Sequence, residues 1–140
     1  MHAYTIEELK AGMAHRFTRT ITEAMMKQFA ELSGDVSPLH TDDAFAREQG
    51  YPGKLAHGLL VGSFLSELAG LYLPGKYALS QGVDMHFHHP VFANDTLTIT
   101  GEITSVHSLL RYIETKATIV NQDNITVVRG TLRTGMLPPK

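Results

Sequence analysis

At 140 residues the chain has the length of one ordinary domain, enough to bury about 68–70% of the surface its unfolded form exposes. Its residues are 43% apolar and 19% charged, with a formal net charge of −2, which excludes a disordered chain and the basic stripe of a nucleic-acid binder. There is no cysteine, which excludes disulfides, thiolate zinc sites and thiol nucleophiles and suits a reducing cytoplasm. The N-terminus lacks the basic start and apolar core of a signal peptide, and the longest apolar run, GLLVGSFLSELAGLYL, contains Glu67 and is too short to span a bilayer. A soluble cytoplasmic protein without a membrane partner is expected, with a single domain over residues 1–140.

Thr5 and Glu8 have the spacing of a capping box, which predicts a short helix ending near Gly12. The following run, MAHRFTRTIT, reads as a strand. Thr22 can cap a helix over EAMMKQFAEL, where Met25, Met26, Phe29 and Leu32 recur at helical spacing and Ser33-Gly34 ends it. Thr41 is the expected N-cap of another helix, DDAFAREQ, with acids in its first turn and Gly50 as its stop. After the YPGK turn, a second principal helix is expected from His57 to about Leu71, apolar almost all round and therefore buried on most sides. Gly58, Gly62, Ser66 and Gly70 fall four apart on one face of it, a stripe that suits close packing against a sheet or the close approach of a ligand.

The chain then becomes β-rich. Four runs, ALSQGVDMHFHHPVF, TLTITGEITSV, LRYIETKATIV and ITVVRGTLRTG, are punctuated by Asn94-Asp95 and Asp123-Asn124. Ile113, Thr115, Ala117 and Ile119 alternate with Tyr112, Glu114, Lys116 and Thr118, the pattern of a strand with one buried face. Helices early and consecutive strands late indicate an α+β chain with a mainly antiparallel sheet of about five strands around the glycine-striped helix. Its open edges need covering, and sheet-to-sheet dimerisation is one way to cover them.

Between the first helices lies LSGDVSPLHTDDAFA. Gly34 permits a sharp exit, and Pro38 fixes its own φ and pushes Ser37 towards an extended conformation. Residues 34–40 are expected to form a fixed, irregular crossing that brings Asp35 and His40 together. A carboxylate and an imidazole facing one water can take its proton and return one elsewhere. Ser-Gly-Asp is equally ordinary turn chemistry, and Asp35 can serve as a backbone cap. Downstream, Ala56-His57-Gly58 opens the second helix, whose first amides lack helical partners and carry the positive end of the dipole. With no side chain at Gly58, its N–H could meet a carbonyl oxygen as negative charge builds there. His86 and His88 share one side of a strand with Asp84, the beginning of a metal site that lacks a fixed third or fourth ligand.

FAELSGDVSPLHTDDAFA resembles the signature of the MaoC-like, (R)-specific enoyl-CoA hydratases, with Phe29, Ser33, Gly34, Asp35, Pro38, Leu39, His40 and Ala46 at matching positions. The resemblance continues through AHGLLVGSFLSELAG, LPGK and HFHHPVFANDTLTI, so it covers nearly the whole chain in order and spacing. It implies a hot-dog fold, a long central helix wrapped by a curved antiparallel sheet, usually paired as a homodimer or higher homo-oligomer. It also implies syn hydration of trans-2-enoyl-CoA to (R)-3-hydroxyacyl-CoA, without a metal or cofactor. On this resemblance Asp35 and His40 match the catalytic pair, Gly58 the oxyanion glycine and Ser66 an assisting polar position, with Ser37 and His57 as further supporting candidates. Ser37 departs from the family, which has Asn before the proline, so one hydroxyl donor replaces an amide's two donors and acceptor. Lys54, Arg47 and Lys76 are candidates for the CoA phosphates, although scattered cations are more often solvated. Two rivals remain: a hot-dog acyl-CoA thioesterase using Glu67, the only acid on the central helix, and a non-catalytic acyl-CoA or acyl-carrier-protein binding module.

Overall fold

A computed structural model of the protein describes residues 1–140. Strand β1 (Ala14–Thr20) leads into α1 (Glu23–Ser33), a one-turn helix α2 (Pro38–Thr41), α3 (Asp43–Glu48) and α4 (Gly58–Glu67). A π-helical turn, Leu68–Tyr72, continues α4 and precedes β2 (Ala78–Phe87), β3 (Thr96–His107), β4 (Tyr112–Val120) and β5 (Thr126–Met136). All five strands lie in one antiparallel sheet in the order β1-β3-β4-β5-β2. This is the expected α+β architecture, with five strands wrapped around the glycine-striped helix.

The alternation read in β4 sets the register of the core. Ile113, Thr115, Ala117 and Ile119 are all buried, and Ile119 pairs with Ile99 of β3 and Val128 of β5. Leu60, Val61, Leu65 and Leu68 of the central helix pack against these strands, each fully buried aliphatic side chain contributing about 1.5–3 kcal/mol. A side chain at Gly101 would run into Leu68, so β3 takes glycine where the helix presses closest. On α4, Cβ atoms at Gly58 and Gly62 would meet Phe87 and Met85 of β2, whereas one at Gly70, in the π-helical turn, would meet nothing within 4 Å. The sheet therefore accounts for the first half of the small-residue stripe.

Three local expectations are corrected. The helix expected before Gly12 is only a turn: Thr5 N–H donates to Glu8 Oε2 at 2.8 Å as in a capping box, but the segment then bends to bury Ile6 and Leu9 in a second core cluster with Leu73, Ile103 and Ile113. Leu32 does not belong to the packed face of α1; it is 85% exposed, while Met26 and Ala30 are buried. Asp42, not Thr41, caps α3, because its carboxylate accepts from both Ala44 and Phe45 amides, whereas Thr41 donates its hydroxyl back to the Val36 and Ser37 carbonyls.

Candidate functional site

The segment after α1 folds as its sequence requires. Gly34 leaves the helix at φ +77°, in the left-handed region that glycine adopts without strain. Residues 34–37 form the irregular crossing, but Pro38 then sits at the first position of a helical turn, where its missing N–H costs nothing. That turn, which replaces the irregular path expected as far as His40, swings the His40 ring back towards Asp35. Asp35 Oδ2 and His40 Nε2 are 3.9 Å apart.

Two hydrogen bonds decide how these groups present themselves. His40 Nδ1 lies 2.8 Å from the Leu55 carbonyl, which can only accept, so Nδ1 carries the hydrogen and the neutral ring keeps its lone pair on Nε2, facing Asp35. The Ser37 amide donates to Asp35 Oδ1 at 3.1 Å. That amide chiefly, then the Ser37 hydroxyl, holds the Asp35 carboxyl below the ordinary carboxylate range, with smaller contributions from the nearby His40 and His57 rings. Because the main-chain amide is the larger influence, Ser37→Ala is expected to lower kcat by less than about tenfold, measured by steady-state kinetics.

The four residues Leu55 to Gly58 organise the rest. Leu55 N–H donates to the Leu39 carbonyl and Ala56 N–H to the Val91 carbonyl, which ties this segment to α2 and to the sheet side. His57, the N-cap of α4, is 3% exposed; its Nε2 donates to the Asp35 main-chain carbonyl at 2.8 Å and lies 3.8 Å from Asp35 Oδ2. Its ring stacks on His40, with centroids 3.9 Å apart and an interplanar angle of 23°, and has Phe29 5.0 Å away. Its Nδ1 is buried without a partner, an arrangement that costs about 1–3 kcal/mol. Gly58 begins α4, and its N–H donates to no other group in the chain.

A cavity of about 370 Å³ opens beside these groups, walled by His40, Gly58, Val61, Phe87, His88 and Val128 among others. A second, of about 500 Å³, reaches His40 from the α1 side and is lined by Lys27, Lys54 and Glu31. Lys54 is engaged by Glu23, its Nζ 2.8 Å from Oε2, and that bond raises its pKa. Arg47 donates to the Pro52 carbonyl at 3.3 Å. Lys76 is not brought to the site: it lines a separate cavity with Tyr77, Leu137 and Lys140. Ser66 lines another, with Gly62, Val83, Met85 and Thr134, rather than the one reached by His40. Phe87, which lies over Gly58, was not singled out from sequence; its two-residue step from Met85, matching the four-residue step from Gly58 to Gly62, was the available signal.

Asp35, His40 and His57 each offer an atom within 4.8 Å of the others. A tetrahedral zinc holds its ligand atoms about 3.3–3.4 Å apart. The Asp35 separations of 3.8 and 3.9 Å are wider, and His57 Nε2 already donates to a carbonyl. The gap is too long for a direct hydrogen bond and suits one bridging water. His86 and His88 do not form the pair expected from the strand pattern: His86 sits 3.0 Å from Asp84 on an exposed face, whereas His88 follows the end of β2 and lines the cavity beside His40. Glu67 is paired with Arg19, whose Nε donates to it at 3.0 Å, so it is not a free base on the central helix.

The family model described as MaoC like domain matches residues 6–125. The chain belongs to the MaoC-like family. An (R)-specific enoyl-CoA hydratase from Aeromonas caviae is 36% identical over 100 residues, covering 71% of this chain and 75% of the relative. One from Rhodospirillum rubrum is 30% identical over 112 residues, covering 80% and 78%. The solved (R)-hydratase from A. caviae involved in PHA biosynthesis superposes with a TM-score of 0.89 at 30% identity, over 94% of this chain and 99% of that one. This MaoC-like protein therefore has the hot-dog fold and is a hydro-lyase, an enzyme that adds or removes water. No helix in it is long and apolar enough to cross a membrane.

Proposed function

We propose that this MaoC-like protein hydrates trans-2-enoyl-CoA to (R)-3-hydroxyacyl-CoA, reversibly, with Asp35 and His40 sharing the reacting water. The observation that carries this reading is the 3.9 Å gap between Asp35 Oδ2 and His40 Nε2, with His40 on the wall of the cavity that Gly58 also lines. Water in that gap points one hydrogen, which it keeps, at the carboxylate and gives the other to the Nε2 lone pair. Its oxygen adds to C3 of the enoyl thioester, and the proton gained by Nε2 passes to C2 from the same side, so the addition is syn. The free Gly58 N–H and the positive end of α4 hold the thioester oxygen as charge moves onto it. The chain's own residues suffice for every step, because the thioester supplies the activation.

The thioesterase rival lacks its base, since Glu67 is occupied by Arg19. A bare binding module would have no use for an imidazole whose tautomer is fixed by Leu55. Incubation with crotonyl-CoA and longer enoyl-CoAs is expected to consume the enoyl absorbance and yield the (R)-alcohol. Release of free thiol with the enoyl group intact would indicate a thioesterase, and binding without turnover a carrier module. Running the same series on acyl-carrier-protein thioesters distinguishes the two carriers.

The enzyme is further proposed to act as a homodimer. β2 pairs only with β5, so its outer edge is open. Leu79, Val83 and Phe87 along that strand are about half exposed, as is Leu59 on α4 beside it. An open edge with apolar side chains calls for a cover, and a second β2 provides one. Val83→Asp is expected to convert the dimer to a monomer in sedimentation equilibrium; an unchanged mass would place the interface elsewhere.

A further inference from the structure

His57 is the most buried polar group touching the site, and water addition at Asp35 and His40 gives it no direct task. It nevertheless contacts both members of the pair in different ways. Its Nε2–H is bonded to the main-chain carbonyl of Asp35, 22 residues earlier in the chain, and its ring lies flat against that of His40. Asp35 belongs to the crossing, whose own ties are short-range: Ser33 Oγ accepts from the Asp35 amide at 3.2 Å, and Asp35 Oδ1 accepts from Ser37. Those bonds fix the local bend but do not attach it to the central helix. The bond from His57 does, and Asp35 is half exposed on its other side. His40, held at Nδ1 by Leu55, could still swing about that bond; the stacked ring on its face restricts the swing. The orphaned Nδ1 adds a second indication, since a phenyl ring would fill the space beside Phe29 without stranding a polar atom.

We infer that His57 is a positioning residue that holds Asp35 and His40 at the spacing of one water, acting through its Nε2–H on the Asp35 carbonyl and through its ring on the His40 plane. The inference rests on the hydratase reading and goes beyond it by assigning the pair's geometry to a third residue. The role is distinct from packing, so catalysis and stability should separate on substitution.

His57→Phe keeps the ring and removes the donor; His57→Gln removes the ring and restores a donor. The Phe variant is expected to lose about 10- to 100-fold in kcat with KM within about threefold of wild type, the size of effect that misplacing reacting groups produces. Its melting temperature should be held or raised. The Gln variant, which keeps a donor but loses the stacked ring, should also fall below wild type. Independently of turnover, ring ¹⁵N spectra of the resting protein should show His57 protonated at Nε2. Wild-type kcat in either variant, a kcat loss that only follows a fall in melting temperature, or an unprotonated Nε2 would each overturn the assignment. Wild-type protein that leaves enoyl-CoA unchanged fails the hydratase reading instead, which keeps the two failures apart.

Discussion

Replacing Asp35 by Asn, or His40 by Gln, is expected to lower kcat for enoyl-CoA hydration about 10²–10⁴-fold while the fold survives. The expectation follows from where these side chains sit. Asp35 is on an exposed crossing, about half open to solvent, and its isosteric amide can still accept the Ser37 N–H. Little packing depends on the charge, but a neutral amide no longer polarises the water and holds it for His40 as a carboxylate does. At His40, Gln brings its amide to the position of Nε2, where it has no nitrogen lone pair to offer, and it gives up the Nδ1–H bond to the Leu55 carbonyl. Single-turnover kinetics with circular dichroism would check both points. Because the two groups share one water, the double variant should be scarcely slower than the worse single variant. Near wild-type rates in both single variants would remove the pair from the chemistry.

The second large effect is expected at Gly58. Proline is well tolerated at the first position of a helix, and His57 at φ −59°, ψ 134° already has the extended conformation that a residue before proline requires. Gly58→Pro therefore removes the free N–H while leaving the backbone path available. Any Cβ here meets the Phe87 ring at 3.0 Å, so Gly58→Ala is the necessary control, carrying the same Cβ contact but keeping the donor. Loss of one oxyanion donor costs about 10²–10³-fold in kcat. The proline variant should fall by that factor below the alanine variant, with similar melting temperatures. Equal rates would mean that the Gly58 amide does not hold the developing charge.

How far sequence reaches into this protein depends on the range of the interactions involved. The β4 alternation and the Asn94 and Asn124 turns, both at positive φ, are local signals, and they located strands β2 to β5 and their buried face. The long helix was legible for the same reason, although its last turn widens into a π-helix that no sequence pattern announced. Adjacent polar residues were harder: Thr41 and Asp42 are both good caps, and only geometry gives the double acceptor role to Asp42. The turn at residues 5–12 carries a genuine capping bond, but docking Ile6 and Leu9 into the second core overrides the local propensity for a helix.

At the candidate site the division is similar. Asp35 and His40 could be picked out because the glycine, proline and spacing around them constrain one short segment. The Leu55 carbonyl that sets the His40 tautomer lies 15 residues away, and the His57 bond spans 22. Neither has a periodic or local signature. Lys76, chosen for nearness in sequence to the helix, lies in a different cavity because residues 73–77 turn back towards the N-terminal segment, with the Lys76 amide donating to the His2 carbonyl.

The account depends on one water being delivered to C3 from the side on which Asp35 and His40 stand, with the proton following from that same side. Hydration of crotonyl-CoA in deuterium oxide, followed by stereochemical assignment of the product, tests this directly. The expected product is (R)-3-hydroxybutyryl-CoA with deuterium at C2 on the face that received the hydroxyl. Deuterium on the opposite face, or an (S)-alcohol, would contradict the shared-water site.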